Sequence, residues 1–224
     1  MVTSVGMAER ERAPSQRWLD LADQQRDAVV RAAVDLVAEG AIPLKVADLA
    51  DRAGITRPTF YKYFPTLGAA VLHTARTLIA ELENYVKPRL PRDTNAREVL
   101  LARFQLSFRY ARLHPEMTRF FSYYNFSFRE QGLSGDEDAE RASISHTAGD
   151  PFFELFTAGQ EDGSIDPDLP TDVTYLALVT SMTGTGQRLL IEDAWTTGSD
   201  RRAKGVHEAM VAMWRQALTP KDNQ

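Results

Sequence analysis

Three short amphipathic stretches, each closed by a glycine or a proline, follow one another between Gln25 and Pro65, and this punctuation constrains the fold more than any other feature of the chain. The run QRDAVVRAAVDLVAEG places Val29, Ala33, Leu36 and Val37 on one helical face and stops at Gly40, a residue type that accepts left-handed backbone at a helix end. KVADLADRAG puts Val46, Leu49, Ala50 and Ala53 at i, i+3, i+4 and i+7 before Gly54, a helix of about two turns. Thr56 then suits an N-cap, and Pro58 is harmless in a first turn whose amides lack intrahelical partners. Phe60 and Phe64 lie one turn apart and face inward together. Pro65 ends that element, and Thr66 can cap a further helix running to about Lys87, before Pro88.

A helix, a glycine turn and a second short helix make a helix-turn-helix, whose second helix enters the DNA major groove by its N-terminal end. With Phe60 and Phe64 buried, the short helix presents Thr56, Arg57, Pro58, Thr59, Tyr61, Lys62 and Tyr63. Hydroxyls and cations of this kind bind phosphate, Arg57 stands where it can read guanine, and Thr59 can touch a base edge or a thymine methyl. The formal net charge is -5, yet from Arg52 to Ala80 there are four cations (Arg52, Arg57, Lys62, Arg76), one histidine (His73) and no acid. An acidic protein can thus present one positive face to a polyanion.

The run VVRAAVDLVAEGAIPLKVADLADRAGITRPTFYKYFPTLGAAVL resembles the N-terminal DNA-binding domain of the TetR family of bacterial transcriptional regulators. The resemblance is carried by Ala33, Gly40, Leu49-Ala50, Ala53-Gly54-Ile55, Thr56, Phe60-Tyr61 and Tyr63-Phe64. It implies a three-helix head, a larger helical domain that binds a small ligand, and a homodimer that grips a palindrome in double-stranded DNA. Two positions depart from the family pattern. Lys45 stands where the family usually has a capping threonine, and Leu67-Gly68 where it tends to carry a backbone-contacting lysine. Lysine cannot accept the orphan amide bonds of a helix start. Either that phosphate contact is lost, or it passes to Lys45, Lys62 or the amides at the Thr66 helix start.

Helices are expected near residues 94–113, 115–131, 136–160 with an interruption around Gly149-Asp150-Pro151, 171–193 and 199–218, with Thr171 as an N-cap. From Phe104 to Phe128 the chain carries nine aromatics in 25 residues. They read as core or as the wall of a pocket for a flat or greasy ligand, since such pockets are apolar with a few polar handles. The candidate ligand contacts are Phe104, Phe108, Phe121, Tyr124 and Asn125, with Tyr123 a further handle, together with Phe152, Phe156 and Met182, which the resemblance to the TetR family implies more than spacing does. In the last two helices Leu178, Gly186, Leu189, Val206, Met210, Met213 and Trp214 fit either the protomer's own core or a partner surface. The resemblance implies a four-helix dimer interface there.

The expected fold class is therefore all-α. Residues 1–23 form an N-terminal extension, 24–66 the helix-turn-helix domain and 67–220 the ligand-binding and dimerisation domain. Ordinary hydrophobic and charged fractions, 43% and 25%, fit a globular protein, and with no cysteine there is neither a disulfide nor a thiolate metal site. No apolar run approaches a membrane span, and the first residues carry no apolar signal core, so a cytoplasmic location without membrane contact is expected. An all-helical enzyme or ligand carrier with a small domain that does not bind DNA is the alternative. Against it, His73, His114, His146 and His207 are scattered, none i, i+4 from another, and neither Glu-x-x-His pairs nor GxSxG occur. No cofactor and no metal site is expected. The favoured reading is a ligand-responsive repressor, released from its operator by a small, largely apolar or aromatic effector.

Overall fold

A computed structural model describes residues 16–127, 150–191 and 200–221. All regular structure among them is helical: α1 Gln16–Ala38, α2 Val46–Arg52, α3 Arg57–Tyr63, α4 Leu67–Val86, α5 Ala96–Leu113, α6 Pro115–Ser122, α7 Pro151–Glu161, α8 Thr171–Ile191 and α9 Asp200–Leu218. A 3-10 turn, Lys87–Arg89, follows α4, and one π turn, Tyr123–Ser127, follows α6. None of the helices is long and apolar enough to cross a membrane.

The helix ends obey their sequence chemistry. Gly40 and Gly54 take φ of 78° and 67°, the left-handed backbone that lets α1 and α2 stop sharply. Thr56 accepts from the Thr59 amide, Thr66 from Ala69 at 2.9 Å, Asn95 from Glu98 at 3.0 Å and Asp150 from Phe152 at 2.9 Å. Lys45 precedes α2 without any side-chain cap bond, as its chemistry requires. Thr171 departs from expectation. It is the first residue of α8 rather than its cap, because its hydroxyl donates to Gln160 Oε1 at 2.8 Å and locks the preceding loop to α7. Helix α1 also starts earlier than the expected domain limit at residue 24. Upstream of the apolar run the chain continues with good helix formers and no breaker, and Ala22 is already buried.

Two apolar clusters organise the molecule. The first joins Val29, Ala33, Val37, Leu49, Phe60 and Phe64 of α1 to α3 with Val71, Leu72 and Leu78 of α4, and continues into Phe120, Tyr123 and Tyr124. The second gathers Leu100, Leu101 and Phe104 of α5, Phe156 of α7, Leu178 of α8 and Val211 of α9 around Ile165. The division expected after residue 66 is thus a point in the chain across which packing runs unbroken. Long-range polar clamps fix the second cluster: Arg215 donates to both Glu98 oxygens at 2.9 and 3.1 Å, and Asp162 accepts from the Ala96 amide at 2.9 Å.

Candidate functional site

Helix α3 is held from three sides. Phe60 and Phe64 are buried, with ring centroids 5.5 Å apart. Thr56 and Thr59 share a 2.9 Å hydroxyl contact that ties the first turn. Tyr63 turns back onto α1, where its hydroxyl donates to Gln25 Oε1 at 2.6 Å and its ring lies 5.5 Å from the Arg26 guanidinium. Of the residues expected to face solvent, Thr56, Arg57, Pro58, Tyr61 and Lys62 are exposed, as is Lys45 at the start of α2, while Thr59 and Tyr63 are half-buried. For Tyr63 the cause is the Gln25 bond, a contact 38 residues away that helix periodicity does not reveal.

The positive stretch read from sequence divides in space. Arg52 donates to both Glu39 oxygens at 2.9 and 2.6 Å, which lowers the Glu39 carboxyl and raises the Arg52 guanidinium from their ordinary pKa values. Arg76 borders a cavity behind the head. His73 packs on Phe64 at 5.4 Å, and burial, then the Arg26 charge, push its pKa down. On α3 itself the cations are Arg57 and Lys62.

The cavity holds about 600 Å³ between α4, α5, α6, α7, α8 and α9, within the range of small-molecule sites. Six of the eight candidate ligand contacts border it: Phe104, Phe108, Phe121, Asn125, Phe152 and Met182. The other two are elsewhere. Tyr124 sits in the head's apolar cluster and Phe156 at the centre of the second cluster, fully buried. Aromatic character points to Tyr124 and the family resemblance to Phe156, whereas the packing of the π turn and of α7 decides which side chains meet the void. Tyr123 does not border the cavity, and its hydroxyl accepts from the Leu44 amide at 3.4 Å, in the loop between α1 and α2.

Most polar groups of the wall went unread in the sequence. Tyr175 donates to Asp150 at 2.5 Å, and burial, then this hydrogen bond, push its hydroxyl pKa up. Behind the wall, Arg103, 2% exposed, donates to the lining residue Glu83 and lies 4.8 Å from the Phe152 ring. His207 stacks on Phe108 with centroids 3.9 Å apart and planes at 3°, and burial pushes its pKa down to about 4. One signal was available: Tyr175, Val179, Met182 and Gly186 all border the void at i, i+4, i+7 and i+11, a single face of α8. No group of acidic, histidine or cysteine side chains that could hold a metal occurs among the described residues.

The seven residues offered as core or interface also separate. Leu178 and Leu189 are buried within the protomer and Gly186 borders the cavity. Met210 and Trp214 pack partly on the second cluster, the Trp214 indole donating to Ser181 at 2.9 Å. Val206 and Met213 are exposed, together with Val173 and Leu176, which periodicity did not single out. Helix α8 has to cover both the second cluster and the cavity, so its most apolar face turns inward.

Residues 29–66 match the sequence model described as bacterial regulatory proteins, tetR family. The chain carries a TetR-family head. The whole fold is likewise that of solved TetR-family transcription regulators. One from Shewanella sp. PV-4 has a TM-score of 0.68 at 15% identity over 88% of this chain and 99% of that one. One from Marinobacter aquaeolei VT8 has a TM-score of 0.66 at 20% identity over 91% and 100%. The regulator FadR from Bacillus subtilis, solved in complex with stearoyl-CoA, has a TM-score of 0.62 at 15% identity over 84% and 97%. No curated protein sequence matches the chain. The matched model covers the helix-turn-helix, and for the all-helical body behind it the likeness to these structures is one of fold.

Proposed function

We propose that the protein is a homodimeric repressor that reads a palindromic operator through α3 and leaves it when a largely apolar molecule fills the cavity. One observation carries this reading. Helix α6 has one face in each region: Thr118 and Phe121 border the cavity, while Phe120 is fully buried in the head's cluster. Helix α4 does the same along its length, from Val71 and Leu72 in the head to Ile79 and Leu82 at the void. A ligand that shifts either helix therefore moves the platform on which α3 stands. It acts only if it binds the DNA-incompetent arrangement better. A coupling of about 1 to 3 kcal/mol is enough for a roughly 5- to 150-fold change in operator affinity. Stearoyl-CoA in the similarly folded FadR supports an apolar effector here.

On this reading Lys45, Thr56, Arg57, Pro58, Thr59, Tyr61 and Lys62 meet DNA, with Tyr63 bracing α3. Phe104, Phe108, Phe121, Asn125, Phe152 and Met182 meet the ligand. A second copy covers α8 and α9, where Val173, Leu176, Val206 and Met213 expose apolar surface. Dimerisation also suits a seven-residue reading helix, which reaches only a few base pairs and gains specificity from two half-sites about 34 Å apart. Selection of random duplex DNA by the purified protein, repeated across a salt series, is the test. Enrichment of a palindrome with a steep salt slope is expected. A folded dimer that enriches nothing would sink the reading.

A further inference from the structure

The cavity wall carries neutral polar atoms whose hydrogen-bonding capacity is unused. His207 on α9 is 6% exposed, pinned face to face against Phe108 of α5, with buried Ala203 and Val211 one turn to either side. Its Nε2 is buried without a hydrogen-bond partner, and so is Oγ of Ser107, the residue before Phe108 in α5. Both residues border the cavity. Among the described residues these are the neutral polar side-chain atoms of the cavity wall left in that condition. Of the charged groups of the wall, Glu83 is held through Oε1 by Arg103, while its Oε2 is also buried without a hydrogen-bond partner, 3.8 Å from Lys87 Nζ. Asp150 receives the Tyr175 hydroxyl and caps α7, and Arg76 is exposed.

Resting on the reading of this cavity as an effector site, we infer that its ligand is an uncharged, mostly apolar molecule bearing a hydroxyl or carbonyl oxygen, and that Ser107 and His207 hold that oxygen. Buried polar atoms without partners are costly, and a ligand oxygen between α5 and α9 supplies what they lack. Burial keeps the His207 ring neutral, so it offers one donor and one acceptor rather than a positive charge. A hydroxyl matches such a pair in either sense, and a carbonyl accepts from the Ser107 hydroxyl or a ring N–H. A carboxylate would instead meet the Glu83 and Asp150 oxygens; the buried Arg103 is already engaged by Glu83, and the guanidinium in the lining, Arg76, is exposed. A plain hydrocarbon would leave both polar atoms dry, and a site made to hydrogen bond discriminates against such an analogue.

Four probes on one bicyclic skeleton separate these cases: naphthalene, 2-naphthol, 2-acetylnaphthalene and 2-naphthoate, titrated calorimetrically into the full chain at neutral pH. The naphthol and the ketone are expected to bind about 3- to 10-fold more tightly than naphthalene, and naphthoate more weakly than naphthalene. Ser107→Ala and His207→Phe, the second keeping a ring against Phe108, should shrink the naphthol and ketone advantage while naphthalene binding persists. Should His207→Phe fail to fold, Ser107→Ala decides alone. Naphthoate binding best, or an oxygen preference that survives both substitutions, would overturn this inference and leave the effector reading standing. If none of the four binds the intact protein, both fall.

Discussion

The DNA-reading head and the cavity are built on opposite plans. In the head a compact apolar core of α1 to α4 pushes hydroxyls and cations outward on α3, and the polar groups of its helix starts are satisfied close by, as Thr56 and Thr66 are. Around the cavity six helices leave about 600 Å³ unfilled, and two neutral polar atoms have no partner. A surface that reads a duplex needs rigid, pre-placed side chains, so every element beneath it is tied down. A pocket that responds to a molecule needs the reverse, contacts left unmade until the ligand arrives. The two meet in α4 and α6, which lend one part to each.

The strongest way to break this contrast is to empty the head's core. Phe60 is fully buried between α1, α2 and α4, and Phe60→Ala should cost about 3 to 5 kcal/mol. If the two regions are separate in stability, DNA binding disappears while naphthalene still binds the cavity with little change. The cluster that contains Phe60 also contains Phe120 and Tyr123, however, and α6 borders the void. Weakened naphthalene binding by Phe60→Ala would therefore measure how far the head's packing props up the pocket. Calorimetry on the variant at a temperature where it stays folded distinguishes the two outcomes.

The same contrast explains what could be read from sequence. Caps, glycine stops and the inward Phe60 and Phe64 are decided within a few residues, so the head was legible from its local pattern. Where a contact spans the chain the pattern fails. Tyr63 is turned by Gln25, Tyr123 by the Leu44 amide, and Leu178 by neighbours on α5, α7 and α9. Within the aromatic run Phe104, Phe108 and Phe121 border the cavity, since a wall of rings is a matter of composition, while Phe152 and Met182 reach it from outside that run. Its polar partners, Asp150, Tyr175 and His207, lie on three different elements that only tertiary packing brings together. The side chain of Phe126 is not described, and Phe128, His146 and residues 136–149 of the helix expected over 136–160 lie outside the described residues.

A second prediction probes the head alone. Arg57 is exposed at the first position of α3, away from both apolar clusters, so Arg57→Ala should leave thermal stability within about 0.5 kcal/mol. Its effect should be on the operator. A loss of about 1 to 3 kcal/mol confined to one base position marks direct reading, whereas uniform weakening marks a phosphate contact. Lys62→Ala should instead flatten the salt dependence by about one unit of slope, and an unchanged slope would remove Lys62 from the backbone contacts.

The smallest effect concerns the cavity and uses protons instead of ligands. The folded-state pKa of His207 is depressed to about 4 from an ordinary 6.5. As pH falls through 6.5 the unfolded chain takes up a proton that the folded chain refuses, so stability is lost from there downward until the folded pKa is reached. His73, also depressed, acts in the same sense. The lowered carboxyls of Glu39 and Glu98 start from 4.5, and their contribution fades chiefly at still lower pH. Urea unfolding at steps between pH 6.5 and 5.5, above most of the carboxyl titration, therefore reads chiefly the histidines. His207→Phe should make the decline shallower by about 1 kcal/mol per pH unit, leaving the His73 share. Parallel declines in the two proteins would mean that water reaches the ring and that the part of the cavity wall formed by His207 and Ser107 is wet, which would dissolve the contrast between a satisfied head and an unsatisfied pocket.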